Sequence, residues 1–393
     1  MAFLLSSQNI FKYLEAQGIC LNEDRDSIQV ECKYAKNFNL LLSLSNGRKL
    51  LVKQEPHHLD GETVGEFLNE YRIHQLIEQF PQLDHWRYWL PELLHYDPVN
   101  SIAVFNYLTD YRDLADFYSQ ENQFPEAIAH TIGTILATIH RNSFEQLNYQ
   151  TYLHNQSDSE SEVTLEPFPL LARQLERISP DIFGLVPMEG LKFFKLYQRY
   201  DSLGQAMASL SNAIQPCCLI HGDLKFNNLL LHHQWEEQSI SGRSSPIRLI
   251  DWERCTWGDP AYDLGSLIAS YLQLWIGSLV VSQSIDIHEA LRLAATPLEQ
   301  LQPSIATLVK SYLETFPEIL KHQPDFLMRT VQFSGFGLIQ QIYAMIQYQK
   351  TFNNTGICML QVAKSLLCRP EQSISTIFGV IHAELLSLSH LPA

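Results

Sequence analysis

Apolar and polar residues recur at two periods along this chain, and the switch between them marks its organisation. From residue 28 to 55 the apolar residues gather in short strand-like runs. There "NLLLSLSNGRKLLVKQE" sets Asn46-Gly47 between two apolar-rich runs, which predicts a tight hairpin whose second strand ends with Lys53. The next segment, "GEFLNEYRIHQLIEQF", spaces Phe67, Ile73, Leu76, Ile77 and Phe80 at a helical period and carries Glu66 and Glu70. "IAVFNYLTDY" reads as a further strand ending near Asn106 in a short polar connector.

The helical period then takes over. "AIAHTIGTILATIHRNSF" places Ile128, Ile132, Ile135, Leu136 and Ile139 on one face, and "FFKLYQRYDSLGQAMASLSNAI" predicts one long amphipathic helix over 193–214. "HNQSDSESE" at 154–162 is a polar break, read as an exposed loop or linker. The strand-like "CCLI", "NLLL" and "IRLIDW" follow, the last two separated by the polar hairpin tip "HHQWEEQSISGRSSP". Periodicity from 264 to 393 is helical, and no internal repeat is visible. The fold class expected is α+β with two unequal lobes: a small β-rich lobe over 1–107 with one helix, and a large, mainly helical lobe over 108–393.

Charge narrows the partners. Lys+Arg 27 against Asp+Glu 43 gives a net charge of -16, which disfavours nucleic acid and anionic membrane surfaces and suits cationic small molecules or peptides, or solubility alone. Seven scattered cysteines form no CxxC pair, so neither a disulfide framework nor a zinc knuckle is expected, and a reducing cytoplasm fits. The start of the chain does not read as a signal peptide. The uncharged stretch "LGSLIASYLQLWIGSLVVSQS" (264–284) approaches spanning length. Its two glycines, two glutamines and five serines argue for a buried helix and against a membrane span. His57-His58 and His232-His233 are expected to be exposed, and Cys217-Cys218 to be small apolar strand residues. No GxSxG elbow supports a hydrolase triad.

The chemistry concentrates in "LIHGDLKFNNLLL" (219–231), where His221, Asp223, Lys225 and Asn228 lie between apolar runs. Folded chains place such groups there when partners or ligands satisfy them. "RLIDWERCTWGDPAYDLG" then supplies Asp251 at the end of an apolar strand, followed by Asp259 and Asp263. Asp223, Asn228 and Asp251 are thus expected at the mouths of neighbouring short strands. Two acids and an amide oxygen are hard donors of the kind magnesium takes, with phosphate oxygens and water completing its shell.

In order, HGDLKFNN, IDWE and GDPAYDLG, with IGTILATIH upstream, resemble the aminoglycoside phosphotransferase and choline kinase branch of the protein-kinase-like fold. The likeness spans about Lys53 to Gly265; the C-terminal 120-odd residues match only in being helical. It implies Asp223 as catalytic base, Asn228 and Asp251 as magnesium ligands beside ATP, and Lys53 on the α- and β-phosphates, paired with Glu70 or with the competing Glu66. It further implies that Asn106, Tyr107 and Leu108 offer backbone groups to adenine, that Lys225 steadies the γ-phosphate, and that His221 and Asp263 fix the loop. The acceptor would be a hydroxyl of a small, cationic amino sugar or amino alcohol, with a peptide Ser/Thr as the alternative. One departure motivates a second class, a pseudokinase binding subunit: the stretch expected to cover the phosphates, "CKYAKNFN" (32–39), has no glycine.

Overall fold

The computed structural model describes residues 3–21, 28–34, 37–58, 63–155, 175, 187–238, 245–280 and 285–379. The polar break from 156 to 162 and the hairpin tip from 239 to 244 lie outside the described residues. The pattern put one boundary at 107/108. The chain itself divides into two compact units, Met1–Leu114 with Asn228–Cys255, and Ala115–Asn227 with Thr256–Ala393.

The first unit is built on an antiparallel sheet of β1 (Gln29–Tyr34), β2 (Phe38–Ser43), β3 (Lys49–Gln54), β4 (Leu93–Asp97) and β5 (Ile102–Asn106), in the order β1-β2-β3-β5-β4. Its alternation is two-sided, because helices cover both faces. Leu40, Leu42, Leu50, Val52, Ile102 and Val104 pack with Ile10, Tyr13 and Leu14 of α1 (Ile10–Ala16). Ala103 and Phe105, with Leu51 beside them, pack with Phe67 of α2 (Glu66–Gln79). Burying each large aliphatic side chain contributes roughly 1.5–3 kcal/mol, so these faces fix the register and with it the side on which Lys53 emerges. The predicted Asn46-Gly47 hairpin joins β2 to β3, with Gly47 at φ 82. A second sheet runs β6 (Tyr111–Asp113), β8 (Leu229–His232), β9 (Ile247–Leu249), in the order β6-β8-β9.

In the second unit, β7 (Cys218–Ile220) pairs with β10 (Thr256–Gly258). This corrects the expectation that the short strands bearing Asp223, Asn228 and Asp251 are all neighbours: β8 and β9 pair, while β7 takes its partner from a strand the pattern did not predict. The rest is helical: α3 (Leu114–Glu121), α4 (Glu126–Ser143), α5 (Leu147–Asn155), α6 (Met188–Gln198), α7 (Asp201–Asn212), α8 (Pro260–Gly277), α9 (Ile287–Arg292), α10 (Leu298–Thr315), α11 (Ile319–His322), α12 (Phe326–Ala344), α13 (Asn354–Cys368) and α14 (Pro370–Phe378). Close approach is set by missing side chains. A Cβ on Gly133 of α4 would lie 2.4 Å from the Leu308 carbonyl oxygen of α10, and one on Gly265 of α8 would lie 2.7 Å from that of Thr330 on α12.

The long helix expected over 193–214 is two, α6 and α7, broken at Tyr200 with φ -114 and ψ 87. Asp201 opens the second, where an acid favours a helix N-terminus. The apolar stripe runs through the break, so periodicity alone did not register it. His58 and His233 are exposed as expected. His57 and His232 are half-buried, the latter because it ends β8 edge-on to the Tyr111 ring at 5.0 Å. Cys218 is buried in β7. Among the described residues no helix is long and apolar enough to cross a membrane.

Candidate active site

Strand β3 presents Lys53 opposite Asn39 of β2 and Ala103 of β5. Its ammonium hydrogen-bonds the Asp251 carboxylate, lies 3.9 Å from Glu70 Oε2 on α2, and sits 5.3 Å above the Phe105 ring. The Lys53 partner on α2 is therefore Glu70, almost fully buried at 1 % exposure. Glu66, one turn earlier, opens the helix, and its amide donates to Glu55 Oε1 at 2.7 Å. Asp251 adopts the left-handed conformation, φ 62 and ψ 57. For a non-glycine residue that costs on the order of 1 kcal/mol, and it turns the chain sharply out of β9. Leu229 pairs with Leu249, and the Ile250 amide donates to the Asn228 carbonyl at 3.0 Å. That ladder brings Asn228, which immediately precedes β8, and Asp251, two residues beyond β9, 23 residues apart in sequence, to adjacent strand ends.

The electrostatics follow from three acids around one amine. Burial alone pushes the Lys53 amine down, but Glu70, Asp251 and Glu253 together outweigh it and hold the ammonium charged. Burial pushes Glu70 up to about 7, with Asp251 and Glu253 adding to the rise and Lys53 opposing it. The cluster thus carries an excess of negative charge that a bound cation would relieve. Among the described residues no group of three His, Cys, Asp or Glu is arranged to hold a metal. Asp251 and Asn228 supply two oxygen-bearing side chains at adjacent strand ends, fewer than a closed metal site needs.

In the connector, the Asn106 amide donates to Glu92 O and the Tyr107 amide to Lys49 O, each at 2.9 Å. The carbonyls of Tyr107 and Leu108 accept from Thr109 and Tyr111 at 3.1 and 3.3 Å. Arg48 Nε and Glu92 Oε2 hold the Asn106 side-chain amide at 3.0 and 2.9 Å.

The HGDLK loop belongs to the second unit. Asp263, completely buried on α8, accepts from the His221 amide at 2.6 Å and the Gly222 amide at 3.0 Å, with Gly222 at φ 78. His140 of α4 lies 3.3 Å from Asp263 Oδ2 through Nε2, and 2.8 Å from the Tyr312 hydroxyl through Nδ1. Burial would raise the Asp263 carboxyl, but His140 and the loop amides outweigh it and hold the carboxyl below its usual range. Asp223 and Lys225 form an ion pair of 2.8 Å on the loop's open side. Behind the loop, Phe226 is edge-on to Tyr118 at 5.0 Å and to Tyr271 at 4.7 Å.

Three residues near these groups escaped sequence reasoning. Glu253 stands two after Asp251 inside the quoted IDWE and its carboxylate accepts from Asn37 Nδ2 at 3.2 Å. His140 is the last residue of the quoted IGTILATIH, a segment whose likeness assigns it no role of its own. Arg329, lying in uniformly helical sequence, is buried at 1 % exposure and donates from Nε to Asp259 Oδ2 at 3.0 Å.

A small antiparallel sheet with a buried lysine–glutamate pair, in a chain otherwise mostly helical, defines a protein-kinase-like fold. The profile of the phosphotransferase enzyme family matches residues 35–286, and the chain belongs to that family: it is a phosphotransferase acting on hydroxyl acceptors. Among solved structures, an ethanolamine kinase of Plasmodium vivax is similar at 15% identity and TM-score 0.52, over 92% of this chain and 90% of that one. The choline kinase LicA from Streptococcus pneumoniae is similar at 15% identity and TM-score 0.47, over 92% and 98%. An ADP-bound aminoglycoside phosphotransferase has the same 15% and 0.47, over 92% and 99%. A sequence comparison with curated proteins finds no match.

Proposed function

We propose that this phosphotransferase uses ATP and magnesium, and that its acceptor is a hydroxyl of a small cationic molecule of the amino sugar or amino alcohol type. The observation that carries the nucleotide reading is Lys53, a buried ammonium bonded to Asp251 and paired with Glu70 one strand from Ala103 and Phe105. Lys53 would take the α- and β-phosphates, with Glu70 fixing its position. Asn228 and Asp251 would hold the magnesium ion, which when bound neutralises phosphate charge. Asp223 would accept the proton of the acceptor hydroxyl, and Lys225 would meet the γ-phosphate. In the connector, the Leu108 N–H has no partner among the described residues and is the donor left for adenine. The net charge of -16 supports a cationic acceptor by long-range attraction.

The test is a thermal-shift titration with ATP and magnesium, then a phosphorylation screen over amino sugars, amino alcohols, nucleosides and hydroxylated peptides. Asp223→Asn should retain the nucleotide shift and lose turnover by 10³-fold or so, since positioned acid–base groups contribute about 10²–10⁴. No shift at millimolar nucleotide would favour a binding subunit, and turnover only on peptides would replace the small acceptor.

A further inference from the structure

The β1–β2 hairpin, where a phosphate-covering loop would lie, has no glycine between Cys32 and Asn39, so its backbone lacks the usual means of close approach. Its tip carries a side-chain contact in place of one. Asn37 donates from Nδ2 to Glu253 Oε2 at 3.2 Å, and a carboxylate can only accept, so the amide's orientation is fixed. Glu253 is buried at 9 % exposure. Its backbone carbonyl accepts from Asn69 Nδ2 of α2 at 3.1 Å, and Asn69 Oδ1 accepts from Arg72 NH1 at 3.2 Å. One residue thus ties together the hairpin tip, the helix bearing Glu70 and the turn that follows Asp251.

Two further atoms show the hairpin to be unfinished. Among the described residues, Asn37 Oδ1 and Asn39 Oδ1 are buried without a hydrogen-bond partner, and Asn39 stands directly across from Lys53. A buried acceptor left empty is destabilising unless a donor arrives. Hydroxyl groups of a nucleotide sugar, or water on a bound cation, are donors of the right kind.

We propose that Glu253 and Asn37 are positioning residues: a side-chain clasp that holds the glycine-free hairpin against α2 and so sets its place over the nucleotide phosphates. The effect on nucleotide rests on the proposed function; the clasp itself does not. Hydrogen bonds to a charged group hold by enough to change an opening equilibrium tenfold or more.

The experiment compares the full chain with Asn37→Ala, Asn37→Asp, Glu253→Gln and the double variant Asn37→Ala/Glu253→Gln. Amide hydrogen exchange of residues 29–33 and 38–42 is followed without nucleotide, and affinity for a fluorescent ATP analogue with magnesium alongside. Asn37→Ala should speed exchange in the hairpin roughly tenfold and weaken nucleotide binding by a similar factor. Asn37→Asp should do more, by placing two carboxylates together. Glu253→Gln keeps an acceptor and should retain most of the protection, and adding it to Asn37→Ala should speed exchange little further. Exchange in Asn37→Ala equal to the unaltered protein, or weakened binding with the hairpin unchanged, overturns the clasp. If the unaltered protein binds no nucleotide, the functional reading falls, and the exchange rates still decide whether the clasp exists.

Discussion

Replacing Arg329 by leucine tests how the second unit carries a buried charge. The guanidinium is 1 % exposed and donates to Asp259 Oδ2 at 3.0 Å, while also bonding Asp325 and Gln323. Asp259 caps α8 through the Ala261 amide at 3.0 Å and accepts from the Gln215 amide at 3.0 Å. Deleting one partner of a buried pair costs about 3–5 kcal/mol. Those two amide bonds survive the change, so the lower end, about 3 kcal/mol, is expected. That is a large part of the roughly 5–15 kcal/mol typical of a folded protein.

The sign with pH is fixed by the carboxyl. Burial already raises Asp259 above its usual range, against the opposing charge of Arg329. Without the guanidinium it rises further, so the folded state binds the proton more readily than the unfolded one. Stability is then retained below the unfolded value and lost as pH climbs through the folded one. Urea denaturation followed by circular dichroism at pH 5 and pH 8 should therefore show the larger deficit at pH 8. Arg329→Leu/Asp259→Asn removes the stranded charge and should recover about 2 kcal/mol of the loss. A deficit under about 1 kcal/mol, or a double variant no better than the single one, would refute the assignment of Arg329 as the charge that keeps Asp259 buried.

Two further outcomes follow from packing and protonation. Gly265→Ala should destabilise by roughly 1–3 kcal/mol from overpacking. Its Cβ would meet Phe333 Cβ at 2.6 Å and the Thr330 carbonyl at 2.7 Å, and the helix-propensity gain of about 1 kcal/mol only partly offsets this; melting of Gly277→Ala, where nothing lies within 4 Å, is the control. His74 is lowered to about 4 by burial and by the Arg87 charge, and its Nε2 is buried without a partner among the described residues. A depressed histidine contributes stability above its ordinary value that is lost as pH falls from about 6.5 to about 4. Because the ring is half-buried, screening reduces this to on the order of 1 kcal/mol. His74→Gln should flatten urea stability across that window, and an unchanged slope would remove His74 as its source.

What could be read in advance was whatever a local period or a fixed spacing encodes. The runs in 39–55 gave β2, β3 and their Asn46-Gly47 hairpin, and the threes and fours of 128–139 gave α4. The break at Tyr200 was invisible because the same apolar stripe serves α6 and α7. The pairing of β7 with β10 was invisible because three-residue strands carry no period of their own.

The sequence by itself determined which residue types are available for chemistry and their order: a lysine on an apolar strand, an acid and an amide around HGDLKFNN, and an acid closing a second strand. Tertiary structure alone decided their company. Glu70 rather than Glu66 reaches Lys53 because one turn of α2 separates them, and Asp251 meets the same amine only after β9 pairs with β8. Arg329 reaches Asp259 across 70 residues, and Asn37 reaches Glu253 across 216. Spacing along a chain constrains neighbours within a turn or a strand; contacts between distant segments depend on which faces bury together, and that is settled only when the whole core forms.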